Sequence, residues 1–215
     1  MDRSTTPCWL YLLTFIPPLL LLTLVWLQPW ASIFDLFRDP LAAAMQSDDC
    51  CRLYFGFVSN IGVVIWCICG GCCLFAALHK FHLEGWSENT KFLVAAGGFT
   101  TFLGVDDLFL LHDHILPALH IGQLITSMLY AAIGISYLAR FHKLIISHDL
   151  LLFLLAGGLL AMSVSVDQFF HSERPFRIFL EDGAKLLGIC AWAAFHISAS
   201  FILCGGKNKP VYTKQ

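Results

Sequence analysis

The chain has 215 residues, of which 58% are hydrophobic and only 13% are charged, and its mean hydropathy is +0.73. Soluble globular domains are about 45–50% apolar and about 25% charged, so the composition excludes a soluble globular protein and a disordered chain. The formal net charge of -2 offers no basic surface for nucleic acid. The remaining class is a multi-pass membrane protein surrounded by the lipid bilayer.

Six stretches are apolar over the roughly 20 residues that a helix needs to cross a bilayer. Helix is the predicted structure because lipid provides no partners for unpaired backbone groups, and the alternation typical of a β-barrel is absent. The first stretch contains Pro17 and Pro18, which predict a kink, and it is too long for a cleaved signal peptide. We predict an all-α, six-helix transmembrane bundle that forms a single domain over residues 1–215. The predicted spans are residues 8–27, 53–78, 92–116, 119–138, 150–170 and 176–203.

The loop between the first two spans contains Asp39 followed by Pro40, a pair typical of a helix start. We predict a short helix at Leu41 to Met45, lying on the extracytoplasmic membrane surface. Loop Lys and Arg residues predict the orientation of the bundle, because cytoplasmic loops carry more of them. Eight lie on the side of the termini and four on the other side. Both termini are therefore predicted to be cytoplasmic.

Ionisable and polar residues interrupt four of the apolar spans. Because alternate spans run in opposite directions, these residues are expected in one layer near the extracytoplasmic side. A charge at the bilayer centre costs at least about 2.5–3.5 kcal/mol, so they should face the bundle interior. Within the layer, Asp107, Asp167 and Glu181 are predicted to lie within about 10 Å of each other. The cluster comprises Ser59, Asn60, Asp106, Asp107, His112, Asp113, His114, Asp167, His171, Glu181, Asp182 and Lys185.

The balance of charge in this layer suggests two kinds of site. Five carboxylates beside a single lysine cannot all remain ionised, so either some are protonated or a cation neutralises them. Carboxylate and imidazole ligands together suit a divalent metal such as Zn, Mn or Fe. The predicted metal ligands are Asp107, His114, Asp167 and His171, with Glu181 or Asp182 as general base and Lys185 stabilising negative charge.

Two other interpretations of the layer stay open at this stage. In a paired network, Lys185 forms an ion pair with Glu181 or Asp182, and the other polar groups reach headgroup water. In a haem protein, facing histidine pairs would lie within the spans. Only His120, His171 and His196 come near such an arrangement, so the sequence disfavours haem.

Three functions are compatible with such a cluster. A metal-dependent membrane hydrolase acting on a lipid or amphiphile would have a pocket open to the bilayer. A cation- or proton-coupled transporter would have polar groups continuing to the cytoplasmic face, where the sequence offers only His196, Gln123, Thr126 and Ser127. A non-catalytic membrane subunit or assembly factor would have a sealed, fully paired cluster.

Four short motifs carry a family resemblance. The segments at residues 38–40 (RDP), 59–62 (SNIG), 105–112 (VDDLFLLH) and 180–188 (LEDGAKLLG) resemble a family of small bacterial membrane proteins of cyanobacteria and proteobacteria. That family carries no assigned activity, so the resemblance implies an inner-membrane location and no chemistry. A looser similarity is to the alkaline ceramidases and the progestin/adipoQ receptors, membrane hydrolases that set Ser, Asp and three His around zinc. Asp107, His114, His171 and His196 are the corresponding candidates, although this chain has six spans and lacks the paired histidines of the last helix.

Overall fold

The structure is a computed structural model, which describes residues 7–38, 40, 52–170 and 174–205, without the side chains at 113, 114 and 123. Every regular element in these ranges is a helix, and six of the helices are long and apolar enough to cross a membrane. The all-α fold and the six spans are thus confirmed. The elements are α1 (Cys8–Leu27), α2 (Ile33–Phe37), α3 (Phe57–Glu84), α4 (Glu88–Phe109), a π-helix (Leu111–Ile115), α5 (Leu116–Ala118), α6 (Gln123–Ser147), α7 (Leu150–Phe169) and α8 (Pro175–Gly205).

Helix α8 is the longest element and lies at the centre of the bundle. It packs most extensively against α7 and α3, and it also contacts α1 and α2. Helix α4 packs against α3, and α6 lies at the periphery. Burial follows this arrangement. In the apolar 18-residue segment of α8, 56% of the residues are buried, whereas in that of α6 only 17% are buried.

Aromatic rings fill the space between the central helices. Trp192 of α8 is buried against Trp66 of α3 and Phe153 of α7, with ring centroids 6.3 and 5.7 Å away. Small residues allow the backbones to approach closely, as is usual in membrane bundles. A Cβ atom at Gly104 of α4 would lie 2.9 Å from the Cβ of Trp66, so only glycine fits at this crossing.

The loop between α1 and α3 folds back onto the bundle. Its helix α2 begins at Ser32, whose hydroxyl accepts the Phe34 backbone N–H at 3.2 Å, as an N-cap does. Phe37 is buried against Phe179 of α8, with ring centroids 5.8 Å apart. The sequence did not predict α2, and the predicted helix at Leu41 to Met45 lies outside the described residues.

One predicted helix differs from the structure. Helix α1 runs from Cys8 to Leu27 with Pro17 and Pro18 inside it, and a kink at this pair stays a prediction. The third span, predicted as one helix to residue 116, instead ends at Phe109, because Leu110 takes a left-handed conformation with φ 51°. The π-helix follows this break, which lies directly beside Asp106 and Asp107.

Candidate functional site

Asp107, near the end of α4, links three helices. Its Oδ1 accepts a hydrogen bond from Lys185 Nζ of α8 at 2.6 Å, and its Oδ2 accepts one from Trp66 Nε1 of α3 at 3.1 Å. The Asp107 side chain is 10% exposed, whereas that of Lys185 is 34% exposed. The carboxylate is therefore enclosed by the bundle, and its cationic partner reaches the surroundings.

A small cavity opens beside this ion pair, between α3 and α8. It is lined by Asp107, Lys185, Asp182 and Ser59, and by apolar side chains on its inner side. It has room for roughly one water molecule. Ser59 and Asp182 thus lie at the pair, as the sequence predicts, but Asn60 is exposed on the outside of α3.

A second ion-pair group lies at the start of α8. Arg177 Nη2 lies 3.0 Å from Asp167 Oδ1 of α7 and 3.2 Å from Glu181 Oε2, one turn further along α8. One guanidinium thus brings two of the predicted carboxylates together. Lys185, the partner of Asp107, follows Glu181 by one further helical turn on α8. A common layer within 10 Å for Asp107, Asp167 and Glu181 stays a prediction.

Asp106 contacts a different set of residues from Asp107. It is buried, and its Oδ1 accepts hydrogen bonds from the His112 backbone N–H at 3.0 Å and from the Tyr130 hydroxyl of α6 at 2.8 Å. His112 Nδ1 lies 2.7 Å from the other carboxylate oxygen, Oδ2. Asp106 therefore ties the end of α4 to the π-helix and to α6.

The proposed metal ligands can be placed only in part. His171 and the side chains of Asp113 and His114 lie outside the described residues. Asp107 and Asp167 contact different cations, Lys185 and Arg177, which are separated by about 12 Å along α8. Within the described ranges, no group of three or more His, Cys, Asp or Glu side chains could hold a metal ion. Metal binding stays a prediction that depends on the two histidines.

Three residues of the site were not predicted from the sequence. Arg177 is one of the four cations counted as loop charges on the cluster side. In the structure it lies in α8 and supplies a second cation to the cluster. Trp66 and Tyr130 are ordinary residues of membrane helices, and only their tertiary contacts show that they donate to the two aspartates. Since Arg177 and Lys185 both pair with carboxylates, the charge imbalance in this layer is smaller than the sequence indicates.

Further polar contacts continue along α8 beyond the cluster. Trp192 Nε1 donates to Thr100 Oγ1 at 2.9 Å, and His196 Nε2 lies 2.9 Å from the Tyr137 hydroxyl. His196 Nδ1 donates to the Trp192 carbonyl, so Nε2 of the neutral ring accepts the Tyr137 proton. Ser200 follows one turn later, donating to the His196 carbonyl at 2.7 Å. The polar contacts inside the bundle are thus more numerous than the sequence indicates.

Fold and site together define a multi-pass, all-α integral membrane protein with ion pairs inside one half of its bundle. The sequence model of the domain of unknown function DUF8692 matches residues 11–199, and the chain belongs to this family. The resemblance to a family without an assigned activity is therefore confirmed. No curated protein and no solved structure matches the chain. The similarity to ceramidases and adipoQ receptors receives no support from these comparisons.

Proposed function

We propose that this protein carries protons across the membrane and that Asp107 is its proton-binding group. The observation that supports this function best is the Asp107–Lys185 ion pair: an enclosed carboxylate whose lysine partner reaches a cavity of about the size of one water molecule. Ionisable residues inside membrane bundles are rare and usually belong to ion or proton pathways. Such a pair can exchange protons with water at the cavity.

Protonation of Asp107 would change how the helices are held together. As a carboxylate it binds Lys185 of α8 through charge and Trp66 of α3 through a hydrogen bond. As a neutral acid it loses the charge attraction to Lys185, while Trp66 can still donate to it. Proton binding therefore weakens the contact between α4 and α8 selectively. A carrier needs a step of this kind, in which a bound ion alters the association of its helices.

The polar contacts along α8 supply further groups between the cluster and the opposite end of the bundle. His196 and Ser200 lie on the buried face of α8, 11 and 15 residues beyond Lys185. Near the far end, the ammonium of Lys80 is buried beside Glu84 on α3. This continuation favours transport over a cluster confined to one membrane surface. Its groups are separate hydrogen-bonded pairs, which would be connected only in another conformation of the bundle.

Proton flux in reconstituted vesicles tests the proposal. The purified protein would be placed in liposomes containing a pH-sensitive dye, and a potassium diffusion potential would drive protons inward. We expect faster acidification than in empty liposomes, and loss of that excess in Asp107→Asn. Asn60→Ala is the matched control, because Asn60 is a polar residue of the same half of the bundle but lies outside it. Equal rates for wild type and empty liposomes would contradict the proposal.

Metal-dependent hydrolysis is a separate hypothesis with its own test. It requires His114 and His171 to join Asp107 and Asp167 around one ion, which would supply a water molecule of lowered pKa. The ion pairs of the two aspartates would have to open for this. Elemental analysis of the purified protein decides the matter: one equivalent of Zn, Mn or Fe, lost in His114→Ala, would favour the hydrolase over the carrier.

A further inference from the structure

The segment between α4 and α6 is a strained connection. Leu110 and His120, both with side chains beyond Cβ, have positive φ angles of 51° and 63°, and the π-helix lies between them. Left-handed conformations are unfavourable for such residues, and strained segments of this kind occur mainly at sites that function. We refer to residues 110–122 as the connector. Its conformation requires contacts that hold it in place.

Asp106 provides those contacts. Its carboxylate receives the His112 backbone N–H and the Tyr130 hydroxyl, with the imidazole of His112 at the second oxygen. Hydrogen bonds to a charged acceptor are stronger than those between neutral groups. One buried side chain thus fastens both the start of the connector and the first half of α6.

The two halves of α6 are attached differently. In the first half, Thr126 is buried and Tyr130 packs against Phe102 of α4, while Leu124, Ile125, Met128 and Leu129 are exposed on the bundle surface. The second half is anchored by side chains that are buried in the aromatic core, Tyr137, Phe141 and Ile145. The second half is therefore held by several core side chains, whereas the first half is held by Thr126, Tyr130 and the connector.

We infer that the adjacent residues Asp106 and Asp107 couple the ion pair to α6, so that loss of the Asp107–Lys185 contact releases the connector and the first half of α6. Neighbouring residues of a helix differ by about 100° in direction, so the two carboxylates hold the end of α4 from two sides. Asp107 holds it to α3 and α8, and Asp106 holds it to α6. A movement of this helix end that changes the contacts of Asp107 with α3 and α8 therefore also disturbs the contacts of Asp106 with α6.

The inference extends the proposed carrier function. The role of α6 in transport rests on that function, but the coupling of Asp107 to α6 does not. In a carrier, the connector and the first half of α6 would be the part that moves when Asp107 binds a proton. Tyr130 would then be a positioning residue, because it acts on the site only through Asp106. The structural part of the inference concerns the protein itself and can be measured without any transport assay.

Hydrogen exchange of the full-length protein in detergent, followed by mass spectrometry, tests the coupling. Tyr130→Phe removes one hydroxyl, and we expect exchange at residues 112–122 and 124–130 to rise roughly tenfold. Asp107→Asn should raise exchange in the same peptides at least about threefold, although the hydrogen bonds of Asp107 run to Trp66 and Lys185 in other helices. Trp66→Phe, which removes one donor to Asp107 and keeps an aromatic ring, provides a second variant should Asp107→Asn not fold.

Two controls distinguish coupling from general loosening. Asp167→Asn removes another carboxylate that pairs with a cation of α8, and Tyr54→Phe removes a hydroxyl that accepts a hydrogen bond from Arg52. Both should leave exchange at residues 112–130 unchanged. The inference is overturned if Asp107→Asn and Trp66→Phe leave these peptides unchanged, or if they raise exchange equally in all six spans. If liposomes show no proton flux but the exchange pattern is as expected, the carrier function fails and the coupling stands.

Discussion

Lys185 and Asp107 are joined across two helices, and their contribution to stability depends on both being present. Removing one partner of a buried ion pair leaves an uncompensated charge and typically costs about 3–5 kcal/mol, whereas replacing both is often neutral. The partial exposure of Lys185 reduces that penalty here, because its ammonium can be solvated at the cavity. A single substitution is still expected to lower stability more than the double substitution does.

We therefore predict that Asp107→Asn and Lys185→Met each lower the free energy of unfolding by about 1–3 kcal/mol. The double variant should recover most of the loss, because Asn can still accept the Trp66 N–H and both charges of the pair are removed together. Thermal unfolding in detergent, followed by tryptophan fluorescence, measures this, with Asn60→Ala as control. A double variant as unstable as the sum of the singles would show that the pair is not the stabilising contact. Recovery of stability without recovery of proton flux would separate the functional role of Asp107 from its structural one.

Asp167 differs from Asp107 because its cation is shared. Arg177 keeps Glu181 when Asp167 is lost, and the Asp167 side chain is 38% exposed. We predict that Asp167→Asn changes the free energy of unfolding by less than about 1 kcal/mol. A metal site would behave differently: the variant would lose the metal and its melting temperature would fall. Melting curves recorded together with elemental analysis distinguish the two, and a large fall with loss of metal would restore the metal hypothesis.

A site residue can be predicted from the sequence when it is unusual at its position in an apolar span. Asp107, Asp167 and Lys185 stand out because charges are expensive in lipid wherever the helices pack. Arg177 does not stand out, since a cation near a helix end normally reaches the headgroups. The pairing of Lys185 with Asp107, 78 residues away, was not among the expected partners. It depends on the crossing of α4 and α8, which no local pattern encodes.

At the scale of elements, the end of α4 shows where helix prediction fails. The predicted span continues to residue 116, and the polar residues that interrupt it at 106–107 and 112–114 do not mark a break after Phe109. The break coincides with Asp106, whose carboxylate accepts the His112 N–H and so replaces a helical carbonyl as the acceptor. The other five spans were predictable because length and hydropathy alone define a membrane helix. The outer limits of α3 and α6 still differ from the prediction, since α3 runs to Glu84 and α6 to Ser147.

The packing of α3 against α4 depends on close approach at particular glycines. A Cβ at Gly97 would lie 2.7 Å from Leu74 Cγ and 3.0 Å from the Leu74 backbone nitrogen, whereas a Cβ at the neighbouring Gly98 meets nothing within 4 Å. We predict that Gly97→Ala lowers the free energy of unfolding by about 1–3 kcal/mol through overpacking. Gly98→Ala is the matched control and should be neutral or slightly stabilising, because alanine favours helix. Thermal unfolding in detergent compares them, and equal effects would mean that the α3–α4 approach is looser than described.

At the scale of the whole molecule, contacts between helix ends show which ends share a membrane surface. Tyr11, at the start of α1, donates to Asp149 at the start of α7, and Cys204, near the end of α8, contacts the Ala76 carbonyl of α3. The ion pairs of Lys185 and Arg177 lie at the opposite end, where Trp26 of α1 meets Phe176 of α8. The described N-terminal and C-terminal helix ends therefore lie on one side, and the polar cluster lies on the other.

The side that faces the cytoplasm is predicted from the cations near the helix ends, eight at the terminal side and four at the cluster side. Cations on both sides form ion pairs: Lys80 with Glu84, Lys91 and Arg140 with Glu88, and Arg177 with Asp167 and Glu181. The positive-inside rule favours a cytoplasmic position for the termini and an extracytoplasmic position for the cluster. The orientation of the bundle stays a prediction.

We predict that a cysteine at Arg174 is modified by a membrane-impermeant maleimide added outside intact cells, and that a cysteine at Trp86 is modified only after the membrane is opened. Both positions are exposed, and they lie at the helix junctions on opposite sides of the bundle. The native cysteines would first be replaced by alanine or serine, so that each variant carries one thiol. Equal labelling after lysis is the control for reactivity. Labelling of Trp86→Cys from outside, with Arg174→Cys protected, would reverse the orientation and place the Asp107–Lys185 cavity toward the cytoplasm.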